Sequence, residues 1–331
     1  MFFCMKRFKI YWVFFFAVTF SVISCAAEDE DIVVIPARYP EADYKRDLHI
    51  LVFGDSFSRD AFSYVPGVIE SLIPDFYVDL EILYLGGKGL SYHLNYLKNK
   101  QNIFTLDKYV SDDGYWHSSA YFNGEDILVS KEWDLIIFQE GSNTARNSEL
   151  TESHIRGLSE FIDQRLPNVQ YAFMLSPAKP QGSPALGEYT SDEVWNMYVT
   201  TSQLLLSNNA VNYIIPCGTA IQNARQTSID KYGKFGHLSY DGNHLQEGLP
   251  CLIEAYTATQ FLFNLNKIEK SIADSPLKIT QEWVNKKNIP GKHGVVIGGT
   301  DEEYELCKRS ALLALESPYV VSPIDSIIIY K

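Results

Sequence analysis

Five short apolar runs recur along the chain, each closed by charged or turn-forming residues: His49–Phe53, Asp79–Leu85, Asp134–Gln139, Gln170–Leu175 and Asn212–Pro216. Unbroken apolarity of this length suits a strand buried on both faces. Between the runs, apolar positions recur at helical spacing over about 57–73, 90–98, 149–166, 192–207 and 218–226, with a further helix near 246–266. Strands alternating with helices predict an α/β fold: a doubly wound, mostly parallel five-stranded sheet flanked by helices. Ligands of such sheets bind outside the carboxyl ends of the strands.

Two stretches break the alternation. Residues 105–133 are rich in Tyr, Trp, Gly and Asp, with a turn signal at Asn123-Gly124, and predict an irregular or hairpin insertion near the active-site edge. The tail, 271–331, holds short strand-like runs at Gly294–Ile297 and Ser326–Tyr330 and reads as a small C-terminal extension. The main domain is therefore expected over 47–270.

The amino-terminal segment reads as a targeting signal rather than part of the fold. Lys6, Arg7 and Lys9 precede an apolar stretch, Ile10 to Ile23, that is short for a permanent membrane span. It ends in Val22-Ile23-Ser24-Cys25, which resembles a bacterial lipobox. Cleavage after residue 24 would leave Cys25 as the lipidated first residue, with 25–46 as a polar tether. The alternative is an ordinary secretory signal with Cys25 inside a disulfide. The acidic Glu28-Asp29-Glu30-Asp31 resembles a sorting signal for the outer cell face. The chain is expected to be exported and held at a membrane by a lipid, at the outer membrane facing outside or in the periplasm.

Charge narrows the partners. Loss of 1–24 leaves 25 basic against 41 acidic residues, a formal net charge of −16. That excludes a basic footprint for nucleic acid and disfavours docking on anionic headgroups. Besides Cys4 and Cys25, the cysteines are Cys217, Cys251 and Cys307, widely spaced and without a zinc pattern. One disulfide among them is open, and spacing does not choose it. His49, His93, His117, His154, His237 and His293 show no metal spacing and read as structural or surface residues.

Four segments fall where this architecture puts strand ends or a late loop. Gly54-Asp55-Ser56 delivers a serine to a strand-to-helix turn, a place for a nucleophile beside backbone donors. Helix capping by Asp55 and Ser56 fits the same residues. Gly86-Gly87-Lys88-Gly89 lets backbone N–H groups approach a ligand, or forms a plain turn. Gln139-Glu140-Gly141-Ser142-Asn143 presents an amide after a strand. Tyr240-Asp241-Gly242-Asn243-His244 sets a carboxylate three residues before a histidine. Folded back across a turn, that carboxylate fixes the imidazole tautomer; the bland reading is a capping Asp beside a surface His.

In this order the four segments resemble the blocks of the SGNH (GDSL-type) hydrolase superfamily over about residues 48–266. Glu132-Trp133-Asp134 and the Asp-Gly-Asn-His-Leu ending further resemble a bacterial branch of it known mainly as a domain of unknown function. Thr144 stands where an aspartate often follows the asparagine, and Lys88 where many relatives carry a small residue.

The resemblance implies a serine esterase without metal or cofactor. Ser56 would be the nucleophile, His244 the base and Asp241 its orienting carboxylate. The oxyanion donors would be the Ser56 and Gly89 N–H groups and the Asn143 amide, with Gly87 as the alternative glycine. Gln139 and Tyr240 are expected to line the pocket. The expected substrate is an acylated carbohydrate, or another small ester, losing acetyl or a similar short acyl group. The alternatives are a lipid or thioester hydrolase, and a non-catalytic glycan-binding lipoprotein using the aromatic insertion as its contact surface.

Overall fold

The computed structural model describes residues 47–291 and 294–324. The signal segment, Cys25, the tether and the Ser326–Tyr330 run lie outside the described residues. The strands are β1 (Asp47–Gly54), β2 (Tyr77–Tyr84), β3 (Asn102–Val110), β4 (Tyr115–Asn123), β5 (Leu135–Phe138), β6 (Gln170–Met174) and β7 (Tyr213–Ile215). The helices are α1 (Ser56–Phe62), α2 (Val65–Leu72), α3 (Leu90–Lys98), α4 (Gly124–Leu128), α5 (Ser148–Asp163) and α6 (Ser191–Ser207). After them come α7 (Cys217–Ala224), α8 (Leu249–Leu265), α9 (Gln281–Lys286) and α10 (Asp301–Glu316).

All five expected strands form, and they are the parallel part of the sheet. The strand count differs from expectation, however: the sheet has seven strands in the order β4-β3-β2-β1-β5-β6-β7. The two extra strands come from the aromatic insertion. β3 pairs antiparallel with β2, and β4 antiparallel with β3. The hairpin reverses at 111–114, where Gly114 has φ 72°. Asn123 instead caps α4, its side chain accepting the Glu125 N–H, since asparagine serves turns and helix starts alike.

The largest rings of the insertion point inward. Tyr109, Trp116 and Trp133 are buried in the core, leaving Tyr115 and Tyr121 exposed. The Asp107 carboxylate ties the hairpin to α1: it receives Arg59 Nε at 2.7 Å and the Ser118 hydroxyl at 2.6 Å.

The run expected as one helix over 57–73 is two. Ser63 and Tyr64 break it, and Pro66 sits in the first turn of α2, where its missing N–H costs nothing. Helix α8 is buried along nearly its whole length, as expected of a helix apolar on all sides. Against it pack α1, α2, α7 and α10. The tail therefore contributes chiefly a helix. The start of that helix is marked by the Thr300 and Glu303 capping box, both halves of which form. Gly294–Ile297 makes only a single bridge, Ile297 to Gly248. No helix among the described residues is long and apolar enough to cross a membrane.

Candidate active site

Strand β1 ends at Gly54, and the chain turns at once into α1. Asp55 is the N-cap, its Oδ1 accepting the Phe57 N–H at 3.1 Å. The capping role thus falls on Asp55, which leaves the Ser56 hydroxyl to another partner. Ser56 Oγ lies 2.8 Å from His244 Nε2. On the far side of that ring, Nδ1 lies 2.8 Å from Asp241 Oδ2.

The Asp241–His244 turn builds itself. Asp241 Oδ1 accepts the backbone N–H of Asn243 at 2.8 Å and of His244 at 2.7 Å. Gly242 takes the positive φ of 81° that the turn requires. Partial burial pushes the Asp241 pKa up, but the backbone N–H and ring of His244 hold it below the usual carboxylate value. Asp241 is therefore an anion suited to orient a histidine and stabilise its charged form.

The two remaining segments meet at the same sheet edge. Gly89 and Gly141 approach so closely that a Cβ on Gly141 would stand 3.5 Å from Gly89 Cα and 4.0 Å from Asp55 Oδ2. Gly87 is exposed with open space around it and φ 62°, so Gly89 is the glycine packed into the site. As the first residue of α1, Ser56 has no intrahelical acceptor for its N–H. Asn143 is exposed and caps no helix with its side chain.

Gln139 does not line a pocket. It is fully buried, its Oε1 accepting the Asp55 N–H at 2.8 Å and its Nε2 donating to the Glu140 carbonyl at 2.6 Å. Tyr240 is half-buried; its N–H donates to the His244 carbonyl at 3.0 Å, closing the turn that carries the histidine.

Two residues whose part in the site the sequence did not reveal, Lys179 and Glu140, complete it. Lys179, just past the end of β6, is 2% exposed. Its Nζ donates to Asn243 Oδ1 and lies 3.9 Å above the Phe57 ring. Asn243 Nδ2 is in turn 3.2 Å from His244 Nε2. Burial lowers the Lys179 pKa to about 8, against the upward pull of Asp55, Asp60 and Asp241. Burial raises the Asp55 pKa to about 6. Glu140, two residues past the end of β5, is fully buried and joined to His154. The legible signal for Lys179 and Glu140 was an ionisable residue at the carboxyl end of a buried strand.

The family described as Domain of unknown function (DUF4886) matches residues 49–288. The chain belongs to the DUF4886 family. A DUF4886 protein from Bacteroides uniformis shares the fold, with a TM-score of 0.71 at 20% identity over 84% of this chain and 98% of that one. A protein assigned to the SGNH hydrolases from Slackia heliotrinireducens aligns with a TM-score of 0.44 at 17% identity, over 65% of this chain and 99% of that one. A mutant of an acetyl-xylooligosaccharide esterase from Geobacillus gives a TM-score of 0.42 at 12% identity, over 66% of this chain and 94% of that one. No curated protein matches the sequence. In this DUF4886 chain the match spans the strand ends that bear Ser56, Gly89 and Asn143 and the loop before α8 that bears Asp241 and His244.

Proposed function

We propose that this chain is a serine ester hydrolase that removes acetyl or other short acyl groups from a carbohydrate. One observation carries the proposal: a serine at a strand-to-helix turn, 2.8 Å from a histidine whose other nitrogen is 2.8 Å from a carboxylate. Each neighbour sets the next one's state. Asp241 accepts a hydrogen bond from the Nδ1–H of His244, which leaves Nε2 with a lone pair facing the Ser56 hydroxyl. His244 takes that proton as Ser56 Oγ attacks the ester carbonyl. The developing oxyanion is stabilised by the Ser56 N–H, the Gly89 N–H and the Asn143 amide. His244 returns the proton to the leaving alcohol, water repeats the attack on the acyl-enzyme, and Ser56 is regenerated.

The carbohydrate preference rests on the expected export and lipid anchoring through Cys25, which would put the site where polysaccharides are met. The buried rings of the 105–133 insertion speak against that segment as a broad glycan platform, so chemistry at Ser56 is favoured over simple binding.

The test is hydrolysis of a chromogenic acetate ester by the chain from Ala26 onward, beside its Ser56→Ala variant and a series of longer acyl chains. Serine-dependent turnover that is fastest on acetate is expected. Undiminished turnover by Ser56→Ala would overturn the nucleophile assignment. Faster turnover of acyl chains of eight or more carbons would move the substrate class to lipids.

A further inference from the structure

Glu140 has an unusual set of partners for a buried carboxylate. It is 0% exposed and stands two residues past the end of β5. Its Oε1 accepts two backbone N–H groups at once, from Leu90 at 3.0 Å and from Gly141 at 2.7 Å. Its Oε2 lies 2.9 Å from His154 Nδ1 on α5. A carboxylate withdrawn from water is costly unless its lone pairs are filled, and here three donors fill them.

The identity of those donors is informative. Leu90 follows Gly89, and Gly141 stands two residues before Asn143. One oxygen thus clamps the loops that carry two of the three proposed oxyanion donors. The glycine is shaped to this clamp, because a Cβ on Gly89 would stand 2.1 Å from Glu140 Oε1. The preceding residue, Gln139, holds the Asp55 N–H, one position before the nucleophile. Two adjacent side chains therefore join three segments that lie far apart in sequence.

We propose that Glu140 is a positioning residue of the oxyanion site. By bonding Leu90 and Gly141 to one atom, it sets the Gly89 N–H and the Asn143 amide on a common point beside Ser56. The inference rests on the serine-hydrolase proposal. Oxyanion donors act on charge that develops in the transition state. Misplacing them therefore lowers kcat and leaves substrate binding nearly untouched, whereas a carboxylate that served stability alone would leave the kcat of the folded enzyme unchanged.

The experiment measures kcat, KM and thermal melting for Glu140→Ala, Glu140→Gln, Asn143→Ala and the Glu140→Ala/Asn143→Ala double variant, with Ser56→Ala alongside. Glu140→Ala is expected to lower kcat roughly 10–100-fold with KM within about twofold of wild type. Glu140→Gln keeps an oxygen for both N–H groups and is expected to recover most of that loss. Asn143→Ala is expected to cost clearly less in the Glu140→Ala background than alone, because the two act through one geometry. Should Glu140→Ala not fold, Glu140→Asp takes its place: it keeps the charge, shortens the reach by one methylene, and is expected to show the same kcat loss. Wild-type kcat in the folded alanine or aspartate variant would overturn the proposal, as would losses at Glu140 and Asn143 that multiply in full. If Ser56→Ala itself retains turnover, the hydrolase proposal fails, and that result is distinct from either outcome at Glu140.

Discussion

Gln139 Oε1 accepts the backbone N–H of Asp55 at 2.8 Å across the β1–β5 seam. The turn that carries Ser56 is thereby fastened from the neighbouring strand's end, and the fit is tight: a Cβ on Gly54 would stand 2.7 Å from that same oxygen. Gln139→Leu leaves the Asp55 N–H buried without its acceptor. That is expected to cost about 1–3 kcal/mol of stability and to lower kcat as Ser56 loses its placement. Denaturant unfolding and steady-state kinetics on the same sample check both.

Asn143 offers the opposite case. Its side chain is exposed and caps nothing, so Asn143→Ala is expected to leave the melting temperature unchanged. As an oxyanion donor it should nevertheless be worth about 10²–10³ in kcat, with little change in KM. A rise in KM at constant kcat would instead make Asn143 a substrate-binding group.

Lys179 brings a titratable ammonium into the site. Its charge faces Asp55, Asp60 and Asp241, with Arg146 opposing, and burial brings its pKa down to about 8. As pH rises through that value, the ammonium that holds Asn243 beside His244 becomes neutral. Turnover is expected to fall above about pH 8 for this reason. Lys179→Met should lower the plateau and remove that alkaline limb. A wild-type profile flat through pH 10 would count against the assignment.

His93 sets an acid limit on stability. Burial between the Phe53 and Phe104 rings lowers its pKa from 6.5 to about 3. Below pH 6.5 the unfolded chain takes up a proton that the folded chain refuses until near pH 3. Stability is therefore lost as pH falls through that window. At about 1.4 kcal/mol per unit, the loss by pH 5 is about 2 kcal/mol. His93→Leu is expected to lose less stability than wild type between pH 7 and pH 5 by about that amount, measured by urea unfolding at both values.

The parallel sheet was legible because buried strands write continuous apolar runs, and the spans of α3, α6 and α8 came within a few residues. Three of the four blocks were legible because Gly, Ser and Asn stood at the ends of those runs, the fourth because Asp241 stood three residues before His244 in a late loop, and Ser56, His244 and Asp241 do meet. The insertion was expected as irregular or a hairpin, but its joining the main sheet was hidden by its half-exposed strands: β4 shows polar residues over most of its length, with Trp116 its one deeply buried ring, so neither an apolar run nor clean alternation marks it. Gln139 was legible as a polar residue beside the site, but not as a strut, since hydrogen bonding to a neighbouring strand leaves no periodic trace. Lys179 and Glu140 were obscured for a related reason. A single ionisable residue in an apolar stretch shows its purpose only when the other elements that surround it are in place.

The clasp of α10 over α8 bears on where this protein can be cut. The family match ends at residue 288, yet α10, at Asp301–Glu316, lies beyond it and covers α7 and α8. A chain trimmed at the family boundary would keep every residue of the Ser56–His244–Asp241 site and still bare the apolar flank of a helix built to meet no water. Such a fragment would be expected to self-associate through that flank, so its silence in an assay would reflect poor solubility and leave its chemistry untouched.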